Sequence, residues 1–376
     1  MRAMPAGSPG TTRGGVRSTA APDPIVASPT LLDVADLGEW SAAWDRLVDA
    51  SPLPSPFLRS WWLSGTGGAG RHFLLVVDEA QLVGGLALEQ RHPMSGIRIM
   101  GDGPLCPDHV DLVAAPGQEA AVVGVLRNWL CRRGSRLFDL RGVRAGSSLA
   151  ETLPGRVRRE PFAAAPFALL PDSADAFRAT LPSQFRRNLR KSGARLADEG
   201  VQHRMIRGPA VLATLDTLRE LHRAQWDGRS QFLPVFDRFV AGCAGAVAVD
   251  EVVVHELATD DLVVAIVLAF EVAGRVSLYQ SARRTDPRWR DVTTTLLAAI
   301  IDDACGRGCT EVDFLRGEES YKGRFTTTQR EMYRLVAAKG AAGQLGRMST
   351  LARFHATQAA VRGVRFGRSV AARWKS

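Results

Sequence analysis

Apolar positions along this chain repeat with two periods, and the changes between them mark out the elements. Residues 37–48 carry apolar side chains at helical spacing behind Asp36, which reads as an N-cap. Phe57, Trp61, Trp62 and Leu63 predict a second short helix after a proline-punctuated turn. Strands are expected at 72–77 and 82–89, joined by Asp78-Glu79-Ala80-Gln81, with shorter ones at 97–100, 111–113 and 137–140. A helix is expected at 119–132.

The second half repeats this rhythm. Helices are expected at 174–181 and 183–199, the latter capped by Ser183 and striped by Phe185, Leu189 and Leu196. Two more follow at 211–226 and 236–244. Strands at 252–257, 262–271 and 276–280 turn at Asp260-Asp261 and Ala273-Gly274. A helix at 293–307 is stopped by Gly308, and a strand at 311–315 should run parallel to its predecessor. Both halves read helices, antiparallel meander, helix, strand. The expected fold class is therefore α/β (α+β), with two mixed sheets flanked by helices and divided into units 29–165 and 166–339.

Composition narrows the classes of function. At 376 residues and 45% hydrophobic, the chain can bury two cores. No apolar run reaches the roughly 18 residues of a membrane span, and no apolar stretch follows Arg2, so a cytoplasmic location is expected. The net charge of +9 sits at the ends: residues 340–376 contribute +7 and residues 1–28 contribute +2, leaving 29–339 formally neutral. The body is thus not a binder of specific nucleic acid, while the basic tail 340–376 suits weak contact with an anionic membrane. The Gly-, Pro- and Ser-rich segment 1–28 is expected to be disordered. Five scattered cysteines fit a reducing compartment. Cys305 and Cys309 have no second ligand pair, Asp108, His109 and Asp111 read as a polar turn, and no metal is expected. Residues 65–70 spell G-x-G-x-x-G, but they precede a strand instead of following one, the reverse of the dinucleotide-binding context.

The densest chemistry lies at 311–325, where Asp313, Glu318, Glu319, Tyr321 and Lys322 gather at the carboxyl edge of a sheet. Asp-Phe-Leu-x-Gly-x-x-x-Tyr-Lys at 313–322, with Tyr279–Ser281 and the helix ending at Arg307, resembles the GNAT-superfamily acyltransferases. More closely, the chain is similar to the CelD/BcsL-like (BioF2-like) acetyltransferases, related to the Fem-type peptidyl transferases. Leu189-Arg190-Lys191, Leu221-His222 with Trp226, Ser55-Pro56-Phe57 with Trp61-Trp62, and Gly101-Asp102-Gly103 with Asp108-His109 support that likeness.

The resemblance implies a tandem GNAT-like fold and transfer of an acyl group from acetyl-CoA or another acyl-CoA. The acceptor would be an amine or hydroxyl on a sugar or cell-envelope polysaccharide precursor. Aminoacyl-tRNA as donor, and a non-catalytic binding protein in polysaccharide assembly, are the alternatives. On this reading Ser281, Arg288, Arg290, Thr293, Thr294 and Thr295 bind the cofactor, the threonines at a helix N-terminus suited to a pyrophosphate. Thr294 stands where the subfamily has glycine, which narrows the backbone's approach to a phosphate. Tyr321 is the acid for the leaving thiolate, Asp313 or Glu318 the base, and Lys322 holds an anionic substrate or pairs with Glu318. Arg187 and Arg190, with His222 and Trp226, are the candidate acceptor contacts; a solvated helix face and a packed Trp226 explain the same residues without function.

Overall fold

The computed structural model describes residues 29–348, apart from 93, 94, 133, 135, 227, 318 and 342. The expectations for the tails 1–28 and 349–376, and for Glu318, fall outside the described residues. The first half runs β1 (Thr30–Val34), α1 (Ser41–Asp49), α2 (Ser60–Thr66), β2 (Arg71–Asp78), β3 (Gln81–Glu89), β4 (Arg98–Ile99), β5 (Val113–Ala114), α3 (Glu119–Arg132), β6 (Arg136–Arg144) and α4 (Leu149–Thr152). There follow β7 (Arg158–Leu169), α5 (Ala174–Thr180), α6 (Ser183–Asp198), β8 (Gln202–Ile206), α7 (Ala210–Trp226) and α8 (Phe236–Ala248). The chain continues with β9 (Val252–Ala258), β10 (Val263–Val272), β11 (Arg275–Arg283), α9 (Val292–Gly306), β12 (Glu311–Asp313) and β13 (Gln329–Lys339).

These strands make two mixed α/β layers. A five-stranded sheet has the order β1-β2-β3-β4, with β5 also on β3. An eight-stranded sheet has the order β6-β13-β7-β12-β11-β10-β9-β8. Parallel bridges from Ile97 to Phe138 and from Val110 to Val143 join the first sheet to β6. β7 crosses position 165/166 and pairs with β13 on one side and β12 on the other.

The meander β9–β11 forms because its apolar runs suit a sheet covered on both faces. Along β10, Ile266, Leu268 and Phe270 enter a core shared with α1–α3, α7 and α8. Ala265, Val267 and Ala269 face the opposite way, into a core closed by α5, α6 and α9. The first core crosses between the halves. There α2 lies on α8 so closely that a Cβ on Gly65 would stand 2.6 Å from the Gly242 Cα. That contact accounts for one glycine of the G-x-G-x-x-G run.

Four strands were not anticipated: β1, β7, β8 and β13. β7 carries Pro161 and Pro166 in a central position, where proline is disfavoured. A register shift opposite Pro161, between Met332 and Tyr333 of β13, accommodates the first. The cap at the start of α6 also differs. Ser183 is already helical, Pro182 holds the cap position and no side chain caps the helix. The serine that does cap is Ser173, whose hydroxyl accepts the Ala176 N–H of α5 at 3.2 Å. Asp36 accepts the Gly38 N–H at 2.8 Å, ahead of a 3-10 turn that leads into α1.

Candidate active site

β11 and β12 pair in parallel over only three positions, from Arg275 with Glu311 to Ser277 with Asp313. Beyond that, β11 runs on to Arg283 while the other chain turns away at Leu315, a buried leucine with φ of 53°. β11 also bulges: Leu268 opposes Gln280 and Ala269 opposes Leu278, so Tyr279 is extra. Parting and bulge open a cleft of about 220 Å³. It continues, past Trp226, Ser281, Glu319 and Tyr321, into a second hollow of about 570 Å³ at the start of α9.

The loop after β12 is built from its own residues. Lys322 is buried and donates to the carbonyls of Arg316 at 3.0 Å and Leu315 at 3.3 Å. Its ammonium also pairs with Glu319 at 2.9 Å. Gly317 is favoured here by its φ of 138°, a backbone conformation that side-chain-bearing residues rarely adopt. The result presents Tyr321 between the two hollows. Burial, with Glu319 nearby, raises the Tyr321 hydroxyl well above its ordinary pKa, despite the hydrogen bond with Ser281. Tyr321 therefore keeps its proton at neutral pH.

Asp313 lies behind the cleft wall instead of lining it. It is fully buried, 2.9 Å from His109 Nε2 and 3.1 Å from Arg275 Nη2. Its other oxygen accepts the Leu315 N–H at 2.8 Å, which helps hold the left-handed turn. Burial works to raise its pKa, but His109, Arg275 and that N–H bring it below the ordinary carboxylate value. Glu311 accepts both Arg275, at 2.8 Å, and Arg330, at 2.5 Å, completing a buried ion network.

The opposite wall comes from the first half, from the turn at 106–109. Asp108 and His109 are both nearly inaccessible, and Asp108 and Cys106 line the cleft. Asp108 accepts the Arg316 N–H at 2.7 Å and pairs with the Arg316 guanidinium. Cys106 and His109, like Leu315, are left-handed without being glycine, at φ of 49° and 53°. Such strain collects where a surrounding structure fixes a functional shape. Reading 108–111 as a simple polar turn missed this wall, although Asp108-His109 already belonged to the family likeness. Asp111 sits elsewhere, bonded to Arg144 and Ser147.

The proposed cofactor residues divide. Ser281, Arg290, Thr293 and Thr294 line the outer hollow, beside an α9 start that no side chain caps. Arg288 is exposed and engaged by Glu199 at 2.6 Å. Arg195 of α6 pins this loop, donating to the carbonyls of Arg288 at 2.9 Å and Arg290 at 2.8 Å. Thr295 faces the α6 side of α9, and its hydroxyl is buried without a partner among the described residues. Arg190 lines a separate hollow between α5, α6 and α9, and Arg187 is exposed on α6, so neither reaches the cleft. His222 and Trp226 do line it; Trp226 is 43% exposed at the lip and is not a core residue. Among the described residues no three His, Cys, Asp or Glu side chains gather as metal ligands, and no helix is long and apolar enough to cross a membrane.

Residues 183–323, which hold α6 through the Tyr321 loop, match the family model described as an acetyltransferase (GNAT) domain. None of the curated proteins matches the sequence. Among solved structures, FemX superposes with a TM-score of 0.58 at 10% identity, covering 81% of this chain and 96% of its own. The C-terminal DUF2156 domain of a putative lysylphosphatidylglycerol synthetase from Agrobacterium fabrum gives 0.57 at 12%, covering 85% and 96%. L-PGS from Bacillus licheniformis gives 0.55 at 12%, covering 83% and 94%. At such identities the likeness is one of fold. Residues 183–323 thus match a GNAT-type acetyltransferase domain, within a mixed α/β fold similar to those of FemX and L-PGS.

Proposed function

We propose that this protein is a tandem-GNAT acyltransferase of the CelD/BcsL-like kind that moves an acyl group from coenzyme A to an amine or hydroxyl. The observation that carries the reading is the parting of β11 from β12 beside an uncapped helix start, with Tyr321 at the junction. The pantetheine arm lies along the bulged edge of β11, its pyrophosphate at Thr293 and Thr294 with Arg290 beside it. The acceptor enters from the His222 side and attacks the thioester carbonyl carbon. As the new C–N or C–O bond forms, the C–S bond breaks and the thiolate takes the Tyr321 proton. Glu319, half-exposed at the mouth, receives the acceptor's proton; Asp313, locked in its ion network, serves the loop's shape. The acceptor class is a sugar or envelope-polysaccharide precursor, handled in the cytoplasm.

A second reading keeps the fold and makes the donor an aminoacyl-tRNA. It is favoured by the cationic rim that Lys191, Arg195, Arg290 and Arg324 form around a hollow next to the α9 start. Calorimetric titration with acetyl-CoA, a longer acyl-CoA and desulfo-CoA separates the two. Micromolar binding supports the coenzyme A donor. No binding to any of them removes it and leaves the tRNA donor or a non-catalytic binding role.

A further inference from the structure

His222 sits on α7, is only 6% exposed, and lines the cleft. Its Nε2 is 2.8 Å from the Ser230 hydroxyl oxygen. That oxygen already accepts two backbone N–H groups, from Phe232 at 3.1 Å and Leu233 at 3.2 Å. A hydroxyl has two acceptor positions and one proton. With both acceptor positions filled, the Ser230 proton must point at His222. Nε2 is then the acceptor, and a neutral ring carries its own proton on Nδ1. Burial, which lowers the pKa of this histidine, keeps the ring in that neutral form.

Nδ1 is buried and has no hydrogen-bond partner among the described residues. An unpaired buried donor is uncommon and costly, and it asks for a partner that arrives later. Trp226, one turn further along α7, supplies the second observation. Its ring lies 6.0 Å from the imidazole, lines the same cleft, and is 43% exposed. A large exposed aromatic beside an orphan donor suits a ligand with one apolar face and an oxygen at its edge.

We propose that His222 binds the acceptor substrate through Nδ1–H, in a tautomer fixed by Ser230, and that it selects acceptors whose oxygen lies beside the group to be acylated. This rests on the reading of the inner cleft as the acceptor site. An amine without such an oxygen leaves Nδ1–H unpaired and binds at least tenfold more weakly. Ser230 is a positioning residue: it acts by setting which ring nitrogen donates.

Nitrogen-15 spectra of the full-length protein, with all seven histidines labelled in the ring, test the tautomer directly. The His222 signals are assigned by their loss in His222→Gln or, if that variant does not fold, by through-bond connection to its backbone. At neutral pH the wild type should show a protonated Nδ1 and an unprotonated Nε2, and Ser230→Ala should give a mixture of tautomers. A proton on Nε2 in the wild type, or an unchanged tautomer in Ser230→Ala, overturns the proposal. Glucosamine and cyclohexylamine then serve as six-membered ring amines with and without oxygens. The Nδ1 resonance should move with glucosamine alone; equal movement with both, or with neither, overturns it. Neither readout uses coenzyme A, so failure of the calorimetric titration would count against the donor reading only.

Discussion

Asp108 accepts the backbone N–H of Arg316 at 2.7 Å and pairs with its guanidinium, across 208 residues of sequence. One carboxylate thus helps hold the two walls of the cleft, one from each half, in register, beside the His109–Asp313 contact. Asp108→Asn keeps the size but loses the charge. Turnover should fall about tenfold or more while the melting temperature shifts by only a few degrees. Steady-state kinetics beside a thermal melt check this, and unchanged turnover would show that the pair does not align the walls.

Tyr321→Phe removes the proton proposed for the leaving thiolate. General acid catalysis contributes about 10²- to 10⁴-fold, so kcat should drop on that scale while acyl-CoA affinity stays within about twofold. Equal losses in affinity and turnover would instead make Tyr321 a binding residue.

Buried His255 gives the fold an acid-sensitive side. Burial first, then His203, Arg307 and Arg207, lower its pKa to about 3. In the unfolded chain a histidine titrates at roughly 6.5. Between those values the unfolded state binds the extra proton, so stability is full above the unfolded pKa and falls as pH drops towards the folded one. The slope from this residue is at most about 1.4 kcal/mol per pH unit. Denaturant unfolding from neutral to mildly acidic pH should show it, and His255→Gln should flatten it. An equal slope in the variant would remove His255 as the cause.

Gly242→Val tests the seam between the halves. A Cβ on Gly242 would already meet the Thr66 methyl at 3.1 Å, and the added methyls press on α2. Overpacking of this kind costs about 1–3 kcal/mol. Chemical denaturation should register the loss, whereas Gly193→Val, where a Cβ meets nothing within 4 Å, should change stability by about 1 kcal/mol or less.

Local periodicity made much of this architecture readable. The 252–283 meander is apolar enough to declare itself, and α3 and α7 carry their own helical pattern. β7 and β13 did not, because two prolines interrupt the first and charged residues open the second; pairing across the sheet overrides both. At the site, the 313–322 segment does border the cleft, yet the partners of Asp313 could not be read from its neighbours. What fixes its role is Arg275, 38 positions away, and His109 in the other half. Likewise, the local pattern at 106–109 reads only as a polar turn, because Arg316, 208 and 209 positions away from its partners there, helps set its shape.

The position of β13 has a consequence for synthesis on the ribosome. This strand lies between β6 and β7, next to the edge of the larger sheet, so β6 stays unjoined to that sheet's other strands until residue 339 has emerged. Until then β6 and β7 present open edges while every other strand is already available. The nascent protein thus meets its greatest hazard of mispairing late, and a single strand ends it.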